Sequence, residues 1–90
     1  MSRLDQLQSR LTLALKPLVC ELQDDSAAHA GHAGAASGGG HYNLKIISHD
    51  FEGLNRISRH RLVYDAIGDM MHTEVHALAI VALAPSEIPT

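Results

Sequence analysis

The chain is poor in several residue types, and each shortage excludes a class of protein. Its 90 residues include one cysteine, Cys20, and no tryptophan. A single cysteine excludes an intrachain disulfide and every CxxC metal or redox motif. The longest apolar run, at residues 77–85, is far shorter than the roughly 20 residues of a membrane-spanning helix. The N-terminus lacks the apolar stretch of a secretory signal, so we expect a soluble, cytoplasmic protein.

The aromatic content and the net charge limit the kind of core and the kind of binding partner that the chain can have. Aromatic residues make up 3% of the chain, so the core must be mainly aliphatic, and 46% apolar with 19% charged residues is typical of a globular protein. Ninety residues are enough for one small domain only. A net charge of −3 argues against binding nucleic acid through charge alone. Histidine is the residue in excess, with seven copies.

Hydrophobic periodicity predicts a helix followed by a strand at the start of the chain. Leucines at positions 4, 7, 11 and 15 share one helical face. Ser2 is the predicted N-cap, and Pro17 ends the helix at about residue 15 or 16. Residues 18–23 then alternate between apolar and polar, which indicates a half-buried strand with Cys20 on the apolar side. We therefore interpret Cys20 as a small core residue.

A segment rich in glycine, alanine and histidine follows, at residues 26–40 (SAAHAGHAGAASGGG). It has no bulky apolar residue that would offset the entropic cost of ordering it, so we predict a long flexible loop. Loops of more than about 12–15 residues in a compact domain are usually functional or disordered. This loop carries His29 and His32, and His41 stands at its exit.

The remaining elements are predicted to be strand, helix and strand. Residues 42–46 alternate as a strand. Ser58 is the predicted N-cap of a helix that runs to Met71, and residues 75–83 form a strand buried on both faces. The first two strands can pair antiparallel, and the last returns parallel to a neighbour. The predicted fold class is α+β, with helices on one face of a three-stranded mixed sheet in the order α-β-β-α-β.

Two residue clusters could support binding chemistry. His29, His32 and His76 are candidate metal ligands, but a single zinc site would need about four ligands and the chain has no second cysteine. The chain could instead supply part of a [2Fe–2S] site, because a pair of histidines can replace a pair of cysteines on one iron. The alternative is a solvated loop that happens to contain histidines.

The second cluster is basic and lies at the start of the second predicted helix. Its members are Arg56, Arg59, His60 and Arg61. Helix N-termini attract anions, so the cluster suits a phosphate or an acidic partner. The alternative is a solvated face balanced by nearby carboxylates. Nucleophilic catalysis has no support, since the chain has neither a Gly-x-Ser-x-Gly elbow nor a Walker loop, and we expect no enzymatic activity.

The same segments resemble the BolA family in order and spacing. They are residues 51–53 (FEG), 58–64 (SRHRLVY) and 75–79 (VHALA), together with residues 24–29 (DDSAAH) and 40–42 (GHY). The resemblance extends from about Leu4 to Glu87. It implies one BolA-like domain over residues 1–90, with a compact type II KH-like fold.

The resemblance also implies a partner and a cofactor. BolA-like proteins pair with monothiol glutaredoxins and share a bridging [2Fe–2S] cluster, with glutathione supplied on the partner's side. Carried over by position, the metal ligands are His76 and His29, with His32 and His41 as alternates. Some family members are described as DNA-binding regulators. The alternative function is therefore a transcriptional regulator that contacts DNA through the helix beginning near Ser58.

Overall fold

The computed structural model describes residues 2–25, 40–73 and 75–88. Its helices and strands follow one another as α1 (Arg3–Leu15), β1 (Val19–Asp24), β2 (Gly40–Ile47), α2 (Arg56–Ile67), α3 (Met70–Thr73) and β3 (Val75–Leu83), with short 3-10 helices at His49–Phe51 and Pro85–Glu87. This sequence of elements confirms the predicted α-β-β-α-β order. The predicted flexible loop lies outside the described residues, except that Gly40 is the first residue of β2.

Helix α1 begins and ends where its sequence predicts. The hydroxyl of Ser2 accepts a hydrogen bond from the Asp5 N–H, and the Asp5 carboxylate accepts one from the Ser2 N–H. This reciprocal capping box satisfies two donors that the helix itself leaves unpaired. The helix ends at Lys16, which is left-handed with a φ of 45° and directly precedes Pro17. The predicted leucine stripe packs into the core, with the leucines at positions 7, 11 and 15 buried.

The three strands form one mixed sheet in the order β1-β2-β3. Strand β1 pairs antiparallel with β2, and β2 pairs parallel with β3, as predicted. Along β2 the side chains of Tyr42, Leu44 and Ile46 are buried, whereas those of Asn43 and Lys45 are exposed. The helices therefore cover one face of the sheet, and the other face is open among the described residues.

Three sequence-based predictions about the second half of the chain are wrong. Helix α2 begins three residues earlier than predicted, because the Asn55 side chain caps it and accepts a hydrogen bond from the Ser58 N–H at 2.8 Å. The predicted helix is also broken at Gly68, whose φ of 66° stops α2 before the single turn of α3. Strand β3 is not buried on both faces, since Ala77, Ala79 and other residues of the open face are exposed.

The core lies between the sheet and the helices. It is mainly aliphatic, with Phe51 and Tyr42 as its aromatic members. Cys20 is half-buried against this core, on the side that the alternation predicts. One buried polar side chain, Ser48, donates a hydrogen bond to the Leu15 carbonyl at 2.7 Å and accepts one from the Asp50 N–H. Ser48 thus ties the end of α1 to the turn after β2.

Candidate metal centre

An irregularity in the pairing of β2 with β3 positions His76. Gly40 pairs with Val75, but the next residue of β2, His41, pairs with Ala77. His76 is therefore an extra residue in β3, and its side chain is exposed while that of Val75 is buried. A bulge of this kind redirects a side chain and is often found beside functional sites. The bulge presents a histidine to solvent at the end of a well-paired strand.

His41 lies directly beside His76. The two ring centroids are 5.0 Å apart, and the ring planes are inclined by 40°. His41 is half-buried, and its backbone carbonyl accepts a hydrogen bond from the Asp25 N–H at 2.7 Å. The structure thus brings together two of the four candidate metal ligands. The other two, His29 and His32, lie outside the described residues.

The separation of the two rings is compatible with a shared metal ion if His41 binds it through Nδ1, because the Nε2 atom of His41 is buried. Two imidazoles bound to one ion through nitrogens at about 2.1 Å have centroids roughly 5 Å apart. Residues 2–25, 40–73 and 75–88 contain no group of three or more histidine, cysteine or acidic side chains that could hold a metal. Two protein ligands are nevertheless enough for one iron of a [2Fe–2S] cluster, because bridging sulfides complete its coordination. The pair fits half of a shared cluster site better than a complete mononuclear site.

Cys20 does not contribute to this pair. It pairs with Ile46, near the opposite end of the β1–β2 ladder from Tyr42 and its neighbour His41. Burial raises the pKa of the Cys20 thiol above its ordinary value of 9.0. The thiolate is the form that binds metals, so this environment makes Cys20 a poor ligand.

Gly40 is required next to the histidine pair because Tyr42 fills the space beside it. A Cβ atom at position 40 would lie 2.5 Å from the Tyr42 ring, which is 3% exposed. We expect Gly40→Ala to lower the free energy of unfolding by about 1–3 kcal/mol, as other overpacked sites do. Urea unfolding would measure this loss. Asn43→Ala, at an exposed position of β2, is the control, and equal losses in both variants would contradict the steric argument.

The basic cluster divides into structural and exposed members. The guanidinium of Arg59 donates hydrogen bonds to the Leu54 and Ala82 carbonyls and to both carboxylate oxygens of Glu87, and its side chain is only 12% exposed. Arg59 therefore links α2 to β3 and to the segment that follows β3. It is unsuited to the surface role predicted for it. Arg56 and Arg61 are exposed, and His60 is half-buried.

The link between Arg59 and Glu87 predicts a pH dependence of stability. The hydrogen bond from Arg59, aided by the Ala84 N–H, holds the pKa of the Glu87 carboxyl below its ordinary value of 4.5. A carboxyl whose pKa is lower in the folded state than in the unfolded state stabilises the fold at pH values above its ordinary pKa. This stabilisation is lost as the pH falls through the lowered pKa. We expect wild type to be more stable than Glu87→Gln near pH 7 and the difference to vanish in acid.

Urea unfolding midpoints measured between about pH 7 and pH 3 would test this expectation. Glu21→Gln, at an exposed position of β1, is the control and should change stability far less than Glu87→Gln at pH 7. A difference between wild type and Glu87→Gln that stays constant down to the lowest pH would show that the charge of Glu87 is not what stabilises this contact.

Sequence reasoning ranked His41 only as an alternate ligand, and it missed the exposed apolar side chains on α2. The bulge that turns His76 toward His41 has no local signal, because it depends on pairing with a strand far away in the sequence. The exposed side chains of Ile57 and Tyr64 do have a signal, since a spacing of seven residues puts them on one side of a helix. That signal is easily hidden by the stronger core-facing pattern of the same helix.

Comparison with known proteins identifies the family. Residues 11–87 match the sequence model of the family described as BolA-like protein. A chloroplastic relative from Arabidopsis thaliana, protein BOLA1, is 40% identical in an alignment of 92 positions that covers 99% of this chain. The chain spans 58% of the length of that relative. No helix within the described ranges is both long enough and apolar enough to cross a membrane.

Solved structures agree with the sequence match. BolA1 from Arabidopsis thaliana superposes with a TM-score of 0.83 at 37% identity, covering 99% of both chains. The BolA domain of SufE1 from the same plant gives a TM-score of 0.84 at 39% identity, covering 98% of both chains. These likenesses confirm the predicted fold class and the predicted family resemblance. The chain belongs to the BolA-like protein family.

Proposed function

We propose that this protein is a non-catalytic adaptor that binds a monothiol glutaredoxin and shares a bridging [2Fe–2S] cluster with it. Its role would be in iron–sulfur cluster trafficking or in iron and redox regulation. The chain's two cluster ligands in this proposal are His76 and His41, with His29 and His32 as alternatives to His41. The observation that carries the proposal is the 5.0 Å separation of the His41 and His76 rings at an exposed β-bulge.

The incompleteness of the histidine pair is the reason for proposing a partner. Two imidazoles can bind one iron, and the second iron then needs ligands from elsewhere. A glutaredoxin thiolate, with the thiolate of its glutathione, would supply them. His76 is exposed, so a second protein can approach it without rearrangement of the fold. When bound, the cluster supplies one-electron redox chemistry and transferable iron and sulfide.

DNA binding through α2 is the alternative function, and it has less support. Arg59 is engaged in structural hydrogen bonds, which leaves Arg56 and Arg61 as the arginines of the cluster available to phosphates. The chain carries a net charge of −3, which opposes association with a polyanion. A DNA-binding role predicts an affinity that falls steeply with salt. The cytoplasmic location stays a prediction, since a relative named as chloroplastic carries the same domain.

Reconstitution with a purified monothiol glutaredoxin tests the leading proposal. Under anaerobic conditions with iron, sulfide and glutathione, we expect a red-brown heterocomplex that elutes as one species in gel filtration. Its visible circular dichroism should differ from that of the glutaredoxin homodimer, because histidine replaces thiolate on one iron. If the colour elutes only with the glutaredoxin homodimer at every mixing ratio, the proposal is wrong.

A further inference from the structure

The two outer strands of the sheet differ in how their free edges are protected. At the edge of β1, the Gln8 side chain donates a hydrogen bond to the Cys20 carbonyl at 3.2 Å, and the side chains of Glu21 and Asp24 are exposed. Strand β3 contains no aspartate, glutamate, lysine or arginine at any of its nine positions. Charged side chains on an edge strand discourage pairing with another chain. The edge of β3 therefore lacks a protection that the edge of β1 has.

Backbone hydrogen bonds show which groups of β3 are directed away from the sheet. The Leu83 carbonyl accepts a hydrogen bond from the backbone at the end of β2 at 3.1 Å, so it is directed into the sheet. Successive residues of a strand direct their N–H and C=O groups to opposite edges, so those of Leu78, Ile80 and Ala82 are directed outward. Arg59 occupies the Ala82 carbonyl. The groups of Leu78 and Ile80 have no strand beside them within the described part of the chain.

Leu78 and Ile80 lie symmetrically on either side of Ala79, and this spacing suits a twofold axis. We propose that β3 pairs antiparallel with β3 of a second copy of this chain, about a twofold axis at Ala79, so that the two sheets become one continuous sheet. In this register Leu78 lies opposite Ile80 of the second copy, and the two residues exchange N–H···O=C hydrogen bonds in both directions. The twofold axis repeats the exchange on its other side.

The side chains on the open face of β3 are complementary in the same register. Ala77, Ala79 and Val81 are exposed on this face, and Val81 is 52% exposed. Pairing about Ala79 places Ala77 opposite Val81 of the second copy, and Ala79 opposite its own symmetry mate. A small side chain therefore meets a larger one, and no like charges face each other across the axis.

A groove beside β3 can accept a side chain of the second copy. The groove has a volume of about 400 Å³, and its lining includes His60 of α2 together with Ile80 and Ala82 of β3. Leu78 and Ile80 pack against the core but remain half-exposed. In the proposed register Leu78 of each copy lies beside Ile80 of the other copy, at this groove. Each copy would thus cover apolar surface that the other leaves open.

Features at both ends of β3 limit the pairing to a closed dimer. Arg59 occupies the backbone at Ala82, and the bulge at His76 interrupts the regular strand at the other end. The protected edge of β1 also prevents further copies from adding to the sheet. The His76 residues of the two copies would lie roughly 20 Å apart along the strands, each beside its own His41. The dimer therefore leaves the two histidine pairs separate.

Sedimentation equilibrium of the wild-type protein between about 10 µM and 1 mM tests the proposal. We expect a reversible equilibrium between monomer and dimer. Ala79→Lys places like charges opposite each other at the axis and should weaken the dimer by about tenfold or more. Asn43→Lys is the matched control, because Asn43 is exposed and pairs with Ala79 one strand further from the axis. It should associate as wild type does, and far-ultraviolet circular dichroism should show that both variants are folded.

A mixture of Ala79→Lys with Ala79→Glu tests the register itself. Opposite charges then meet at the axis, so the mixture should form a heterodimer although each variant alone associates weakly. Three results would overturn the proposal: a wild-type protein that stays monomeric over the whole range, an Ala79→Lys protein that associates as strongly as Asn43→Lys, and a mixture that associates no better than its components. His76→Ala should dimerise as wild type does, so this outcome is independent of the cluster-binding role.

Discussion

His76→Ala should abolish the cluster-bridged complex with a monothiol glutaredoxin while leaving the fold intact. The His76 side chain is exposed on a β-bulge, so its removal would take away a proposed cluster ligand without opening a cavity in the core. A cluster that has lost one of its two ligands from this protein is bound too weakly for the heterocomplex to compete with the glutaredoxin homodimer. The expected result is loss of the heterocomplex signal in visible circular dichroism, with unchanged far-ultraviolet dichroism.

His72→Ala provides the matched control for this experiment. His72 is another exposed histidine of the second half of the chain, in α3, and it has no place in the pair. Its removal should leave the heterocomplex signal unchanged. A folded His76→Ala protein that still forms the heterocomplex as wild type does would show that His76 is not a cluster ligand.

The choice among the remaining histidines follows from the same measurement. His41→Ala should also remove the heterocomplex signal if the described pair is the ligand set. A protein in which His29 and His32 are both replaced should then keep the signal. The opposite pattern, with loss in the double variant and retention in His41→Ala, would assign the second ligand to the segment between β1 and β2.

Phe51→Ala should destabilise the fold far more than truncation of an exposed aromatic side chain. Phe51 is the only phenylalanine of the chain, and it is fully buried at 0% exposure. It lies in the turn that connects β2 to α2, and it belongs to the core between the sheet and the helices. Phe→Ala substitutions in cores cost about 3–5 kcal/mol, a large share of the roughly 5–15 kcal/mol that stabilises a small domain.

Urea unfolding at neutral pH would measure the effect of Phe51→Ala. The control is Tyr64→Ala, which removes an aromatic ring that is 40% exposed on α2. Exposed substitutions usually change stability by about 0.5 kcal/mol or less. Equal losses in the two variants would mean that burial of Phe51 is not what stabilises the core, and a Phe51→Ala protein already unfolded without urea would agree with the expectation.

Local rules were reliable where neighbouring residues decide the structure. Leucine spacing and the Ser2 cap predicted α1, and alternation predicted β1 and β2 with the correct side of Cys20 facing the core. The order of elements was enough to predict a mixed three-stranded sheet. The same rules were wrong at the start of α2. Asn55 and Ser58 are both good capping residues, and the tertiary structure decides that Asn55 is the N-cap.

Burial was less predictable than secondary structure. The dense apolar composition of β3 indicated a strand covered on both faces, but the helices cover only one face of the sheet. Composition records how apolar a strand is, and it does not record how many layers the fold places around it. Residue type also failed to predict the environment of Arg59. We expected a surface cation, but its guanidinium donates hydrogen bonds to the Ala82 carbonyl and the Glu87 carboxylate.

The sequence by itself determined the family and the order of the elements and supplied the candidate metal ligands, because these depend on residue types and short spacings. Only the tertiary structure decided that His41 lies beside His76. The reason is physical: β2 and β3 pair over a long separation in sequence, and the bulge between them depends on which backbone groups find partners. Local residue preferences do not specify such a register, since it results from packing the whole sheet against the helices.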